Sequence, residues 1–134
     1  MWSIATFNVE NLDDKADARN PPLYLRLRAA MTRLNADILC LQEVHGQEGS
    51  NHTSDHPSRR LSALDMVLEG TRYTVFERAH TVTTAGVPYD VRNLVVLSAY
   101  PIKRVSQYRN DPHADVPELA GSFYPRRNPQ REPA

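Results

Sequence analysis

The sequence predicts an α+β domain in which two helices cover a β-sheet, and three observations carry that prediction. Ile38, Leu39, Cys40 and Leu41 are consecutively apolar with no alternation, as in a strand buried on both faces. Leu94, Val95, Val96 and Leu97 form a second run of the same kind. Away from these runs, Leu23, Leu27, Ala30, Met31 and Leu34, and then Leu61, Leu64, Val67 and Leu68, recur at the spacing of one helical face.

At 134 residues the chain is sized for one domain with a single core. The formal net charge is zero, so the molecule as a whole does not announce a polyanionic partner. From Arg92 onward there are seven Arg or Lys against four Asp or Glu, a mild basic bias that suits a phosphate-rich ligand without amounting to a nucleic-acid-binding signature. Cys40 is the only cysteine and lies inside an apolar run, which excludes an intramolecular disulfide and a thiolate metal cage. It reads as a small buried hydrophobe. No apolar run approaches membrane-spanning length, and the first residues show no basic region followed by an apolar stretch. The expectation is therefore a cytoplasmic chain with no membrane partner.

Taken in order, residues 2–9 are rich in Trp, Ile, Thr, Phe and Val and predict a first strand, ending in Asn8, Glu10 and Asn11. Asp13, Asp14 and Asp17 continue the polar run as a loop. Asn20 is placed to cap a helix whose first turn tolerates Pro21 and Pro22. Arg26, Arg28 and Arg33 fall largely off its apolar face and read as a solvated surface. The Glu43 strand follows, then a loop over 45–57 without periodicity. His45, His52 and His56 in that loop match no common zinc-ligand spacing and read as solvated. Ser58 is placed to cap a second helix over 59–69, stopped by Gly70. Residues 73–76 read as a strand, 81–90 as a hairpin connection, 93–98 as a buried strand, and 103–108 as an edge strand. The body thus spans 1–108. From 109 to 134, Pro112, Pro117, Pro125, Pro129 and Pro133 predict a mostly irregular tail, with Phe123 and Tyr124 its one aromatic pair.

The chemistry concentrates where strands end. A buried strand running straight into Gln42 and Glu43 delivers an amide and a carboxylate to a sheet edge, the place where α/β proteins put ligands. A carboxylate on a rigid strand end suits a hard cation such as Mg²⁺, which is held by one or two carboxylates plus water and substrate oxygens. The competing reading is a Glu that marks where the strand emerges into solvent. The first strand ends in the same way, in Asn8 and Glu10, so two strands point to one shared polar site; the competing reading there is a turn.

Three segments together make the chain resemble a known family: residues 4–12 with Asn8 and Glu10, residues 36–44 with Leu41, Gln42, Glu43 and Val44, and residues 93–102. In order and spacing they are similar to the N-terminal half of the endonuclease/exonuclease/phosphatase superfamily of Mg²⁺-dependent, DNase I-like phosphodiesterases. The resemblance covers roughly residues 4–102 and implies half of a four-layer α/β/β/α sandwich, a mixed β-sheet covered by two helices. It implies that Glu43 is the main metal ligand, that Asn8 lies beside metal and phosphate, and that Glu10 is a further polar group near the metal. The implied reaction is attack of water on a phosphodiester or phosphomonoester with Mg²⁺ or Mn²⁺ as cofactor, and the implied partner is nucleic acid or another phosphoester.

The sequence departs from the family pattern after Ile102. The family's later Asp-x-Asn and Asp-His groups have no counterpart in a strand context. Ser54, Asp55, His56 and Pro57 spell a late family motif, but in the polar loop directly after Glu43, which lacks the rigid support a catalytic pair needs. Asp111 and His113 stand in proline-flanked coil. The expectation is a truncated domain whose apolar sheet face needs a cover, supplied by self-association or by a complementing second half. The alternative function is a catalytically silent binding or assembly module acting through that face.

Overall fold

The computed structural model describes residues 1–108; the predicted tail at 109–134, with Phe123, Tyr124, Asp111 and His113, lies outside the described residues. The order of elements is β1 (Ile4–Leu12), α1 (Ala16–Arg19), α2 (Leu23–Leu34), β2 (Ile38–Val44), β3 (Gln47–Glu48), β4 (Arg59–Arg60), α3 (Ser62–Leu68), a 3₁₀ turn (Arg72–Val75), β5 (Glu77–His80) and β6 (Asn93–Ser98). The main sheet is mixed and four-stranded in the order β1-β2-β6-β5; β1 and β2 are parallel, and the other pairings are antiparallel. Parallel neighbours need a crossover, and α2 supplies it. The connection between β5 and β6 is the predicted hairpin.

One face of this sheet is the core. Leu39, Leu41, Val95 and Leu97 are buried there, with Ala5 and Phe7 packed beside them, and the covering helices contribute Met31, Leu64, Val67 and Leu68. Each fully buried Leu stabilises by roughly 1.5–3 kcal/mol relative to exposure. The opposite face corrects the expectation of strands buried on both sides. Ile4 is 57% and Leu94 55% exposed there, and Cys40 and Val96 are half-buried. The apolar runs lack alternation because both faces of β2 and β6 are apolar, while the described helices lie on only one of them.

Several element boundaries differ from the sequence expectation. Asn20 does not cap α2 but closes α1, donating its N–H to Ala16 O. The α2 N-terminus is capped from outside, where Asp17 Oδ1 accepts the Tyr24 N–H at 2.9 Å. Ser58 likewise is no cap: residues 59 and 60 pair with β3, and Gln47 Oε1 accepts the Ala63 N–H of α3 at 2.8 Å. Gly70 does follow α3 with φ +78°, a conformation that costs glycine least. Arg28 is not merely solvated. It donates to Val67 O at 2.9 Å and Met66 O at 2.6 Å, pinning α2 to the carbonyl end of α3. Leu34, expected in the core, is 43% exposed, and Tyr24 is buried instead.

Residues 73–76 are not a strand. Thr71 Oγ1 accepts the Tyr73 N–H and starts a 3₁₀ turn, which drops the Tyr73 ring into the core edge-on to Phe76 at 5.0 Å. Residues 103–108 form no strand either. Gln107 takes the place of a pairing residue through its side chain, accepting from Val82 N and donating to Val82 O, both at 2.9 Å.

The Tyr73 hydroxyl closes the core at the α2–β2 junction. It donates to Met31 O at 2.9 Å and accepts the Ala36 N–H at 3.0 Å. Met31 O also accepts the Asn35 N–H, but among the described residues the Tyr73 hydroxyl is the one acceptor for the Ala36 N–H. Tyr73→Phe should therefore leave a buried donor unsatisfied and destabilise by about 1–3 kcal/mol. Urea denaturation of the two proteins checks this.

Candidate active site

Strands β1 and β2 run in register from Ile4↔Ile38 to Asn8↔Gln42, so their C-terminal ends emerge side by side. Beyond that point both ladders are irregular. Val9, Glu10 and Asn11 stand against Glu43 alone before pairing resumes at Leu12↔Val44. On the other side of β2, Gln42 and Glu43 stand against Leu94 between Leu41↔Val95 and Val44↔Asn93. These are bulges on both edges of one strand end, and bulges re-aim side chains. Glu10, Asn11 and Glu43 take φ of +54°, +56° and +63°, the left-handed region that costs a non-glycine residue roughly 1–2 kcal/mol. The strain falls on the very residues the sequence singles out.

The bulges bring Asn8 and Glu43 together. Asn8 Nδ2 donates to Glu43 Oε2 at 3.1 Å, while Asn8 Oδ1 accepts the Glu10 N–H at 2.7 Å. The Asn8 amide is thus held at both ends, and it holds one carboxylate oxygen of Glu43. Among the described residues Asn8 is the one hydrogen-bond partner of the Glu43 carboxylate, which leaves Oε1 open. The Glu10 side chain is exposed and makes no side-chain hydrogen bond among the described residues; the structure joins Glu10 to the pair through its backbone. Behind the pair, Gln42 Nε2 donates to Thr6 Oγ1 at 2.8 Å and sets the β1–β2 spacing.

Further residues join this edge only through the structure. Asn11 Oδ1 lies 3.1 Å from His45 Nε2 and accepts from Arg92 Nε at 3.2 Å, so His45 is tied to the strand ends rather than solvated. Asn93, fully buried, donates through Nδ2 to Val44 O at 2.9 Å and Tyr89 O at 2.8 Å. Its Oδ1 accepts from Tyr89 N and Thr81 Oγ1, each at 2.9 Å. Every amide valence of Asn93 is used, which fastens the 81–92 loop to the end of β2. A polar residue opening an apolar strand was the available signal. Gly46 completes the contact, since a Cβ there would lie 2.5 Å from Tyr89 O.

The remaining candidates lie apart. Asp55 and His56 are exposed in the 49–58 loop and make no side-chain hydrogen bond among the described residues. His52 Nδ1 sits between Ser58 N at 3.0 Å and Ser58 O at 3.2 Å, a structural role inside the same loop.

A cleft of about 350 Å³ adjoins Asn8 and Glu10, lined also by Arg19, Asn20, Leu23 and Leu27 among others. At its rim Asp13 accepts from Lys15 N at 2.9 Å and from Arg19 Nη2 at 3.1 Å. Burial alone lifts the Asp13 carboxyl, but the Lys15 N–H, the Arg19 guanidinium and His45 together hold it below its ordinary value of 3.8. Burial first, then the carboxylates of Asp13, Asp14 and Asp17, push the Tyr24 phenol up.

A metal fits the donor set on chemical grounds. Glu43 and Glu10 offer hard oxygens only, and among the described residues no group of three or more His, Cys, Asp or Glu converges. That is too few protein ligands for a closed structural site but suits a cation that retains water and substrate oxygens.

Comparison with known proteins adds one finding. A model of the Endonuclease/Exonuclease/phosphatase family matches residues 5–130, reaching past Ile102, where the motif resemblance ends. No curated protein and no solved structure matches.

Two expectations test this site. Asp13 has a depressed pKa when folded, so its stabilising contribution is present above the unfolded value and is lost as pH falls through the folded one. Asp13→Asn should flatten the fall in melting temperature below about pH 4, read by thermal denaturation across pH. Glu43→Gly should be more stable than Glu43→Ala by about 1 kcal/mol, because glycine relieves the left-handed backbone; paired urea titrations decide it.

Proposed function

Because the chain belongs to the endonuclease/exonuclease/phosphatase family, we propose that it carries the metal-binding edge of an Mg²⁺-dependent, nuclease-like phosphoesterase site. The observation that carries the reading is the Asn8–Glu43 hydrogen bond at 3.1 Å, formed at a double bulge with Glu43 in a left-handed conformation. Strain of this kind persists where surrounding structure enforces it, and it clusters at functional sites.

In this reading Glu43 would hold the cation, Mg²⁺ or Mn²⁺, with Glu10 as a further carboxylate ligand. The cation, when bound, supplies Lewis-acid stabilisation of the charge that develops on phosphate oxygens during attack by water. Asn8 acts on Glu43. By donating to Oε2 it fixes the carboxylate plane and leaves one oxygen directed away, the role an outer-shell partner plays at a metal centre. The Glu10 N–H orients the Asn8 amide so that its NH₂ end faces Glu43. The cleft beside Asn8 and Glu10 receives the substrate, with Leu23 and Leu27 excluding water from one wall and Arg19 at its rim.

The wider architecture belongs to the same proposal. The four-stranded sheet is one inner layer of an α/β/β/α sandwich, and its open face, with Ile4 and Leu94 more than half exposed, receives a second sheet from a complementing segment or a second copy. That exposed face also favours the second reading, an assembly module without catalysis. Among the described residues no helix is long and apolar enough to cross a membrane, and the proposed compartment is the cytoplasm.

Two measurements on the 134-residue chain test the reading. Mn²⁺ binding followed by electron paramagnetic resonance should vanish in Glu43→Ala and weaken about 10–100-fold in Asn8→Ala. Hydrolysis of supercoiled plasmid and of a small phosphodiester should fall at least about 100-fold with EDTA or Glu43→Ala. Retention of metal by Glu43→Ala would overturn the assignment, and metal binding without hydrolysis would leave the assembly reading in its place.

A further inference from the structure

The end of the sheet that carries Glu43 also carries a second cavity, of about 350 Å³, walled by β4, α3, β5 and the 81–92 loop. Its polar lining is Arg59, Arg60, Arg78 and His80, with Asp65 the one carboxylate. The chain builds it deliberately close to the candidate active site. The turn after Val44 leads directly into β3, and β3 holds β4 through Gln47↔Arg60 and Glu48↔Arg59. His80 and Leu41 both pair with Val95, so the cavity wall stands level with the point where Gln42 and Glu43 leave β2.

The guanidinium groups are unequally satisfied. Arg78 donates to Asp65 Oδ1 at 2.7 Å and is neutralised. His80 Nδ1 is engaged with Thr81 O at 2.8 Å. Arg60 is exposed and makes no side-chain hydrogen bond or ion pair among the described residues. Arg59 is the unusual one. Its side chain is only 19% exposed, its nearest carboxylate oxygen, Glu48 Oε2, is 3.6 Å away, and Glu48 is 63% exposed and also shared with His52. Among the described residues Arg59 Nε is the one buried side-chain nitrogen or oxygen without a hydrogen-bond partner. A buried N–H donor left without an acceptor is costly and needs an explanation.

We infer that this cavity holds a phosphate of the substrate other than the one hydrolysed, with Arg59 and Arg60 supplying the fork donors that match phosphate oxygens. The inference rests on the phosphoesterase reading and narrows it to a polynucleotide strand. Strands in a sheet are about 4.8 Å apart, so β5 lies about 10 Å from β2 across β6. The His80 wall of the cavity is thus separated from the strand that bears Glu43 by a span that about three nucleotides of a stacked strand cover at about 3.4 Å each. A small phosphomonoester cannot occupy both places; a strand with a phosphate at every step can.

The test uses the full chain with Glu43→Ala, so that binding is read without turnover, and measures the anisotropy of a labelled single-stranded 12-mer across a salt series. Arg59→Gln and Arg60→Gln should each weaken binding several-fold and reduce the magnitude of the salt slope by about one. Lys103→Gln, which removes the same charge outside the cavity, should do neither. Arg60→Gln lies on the surface and keeps the test open if Arg59→Gln fails to fold. Unchanged affinity and slope in Arg60→Gln would overturn the inference even if Glu43→Ala abolishes hydrolysis. So would inorganic phosphate raising the melting temperature through Arg59 while the 12-mer binds independently of both arginines, which would make the cavity a free-phosphate site. Arginine-dependent binding of the 12-mer by a chain that hydrolyses nothing would instead sink the catalytic reading and leave the strand-binding cavity standing.

Discussion

The parallel pairing of β1 with β2 is the constraint on which the rest of the structure depends. Two parallel neighbours cannot be joined by a tight turn, so α2 must cross over the sheet, and its burial supplies one wall of the core. Parallel pairing also makes both strands end at the same edge. Asn8 and Glu43, 35 positions apart in the chain, meet there because Asn8 pairs with Gln42 and the next residues bulge. Had the strands been antiparallel, the two polar ends would lie at opposite edges and no shared site would exist.

Around that edge the molecule spends polar interactions on position rather than on bulk stability. Asn93 ties the 81–92 loop to Val44, Asn11 gathers His45 and Arg92, and Gln47 turns from the β3 hairpin to cap α3. Each is a side-chain amide that joins separate segments, and Asn93 uses its amide at full valence. Together they hold the loops that wall both the Glu43 site and the arginine-lined cavity, so the two sites share one scaffold. On the opposite face of the sheet no comparable network exists among the described residues, and apolar side chains such as Ile4 and Leu94 are more than half exposed there. Among the described residues, the division between a polar, over-determined edge and an open apolar face is the fold's main asymmetry.

The sequence expectation and the structure part company at the helix starts and at 73–76. Asn20 and Ser58 are good capping residues, yet the caps come from Asp17 and Gln47, which reach in from neighbouring segments. Local propensity identifies residues able to cap but not which backbone N–H will be in reach. Tyr73 to Phe76 have strand-forming side chains, but burying the Tyr73 ring and placing its hydroxyl between Met31 and Ala36 decides for a 3₁₀ turn. Here a tertiary contact overrides a weak preference, as β-propensity allows. The arginines on α2 show the same limit, since only the position of α3 turns Arg28 from a surface charge into a carbonyl clamp.

By itself the sequence determined the mixed α and β character, the identities of β2 and β6 and the helical faces of α2 and α3, and it singled out Asn8, Glu10 and Glu43 as candidates at the strand ends. These are legible because hydrophobic period and strand-end polarity are local properties of consecutive residues. Only the tertiary structure decided that the apolar runs bury one face, that two bulges and left-handed backbone turn Asn8 onto Glu43, and that the Arg59 Nε is left buried without an acceptor among the described residues. Those outcomes depend on which strands become neighbours and on which side the helices fall. No stretch of consecutive residues encodes such relations between distant segments.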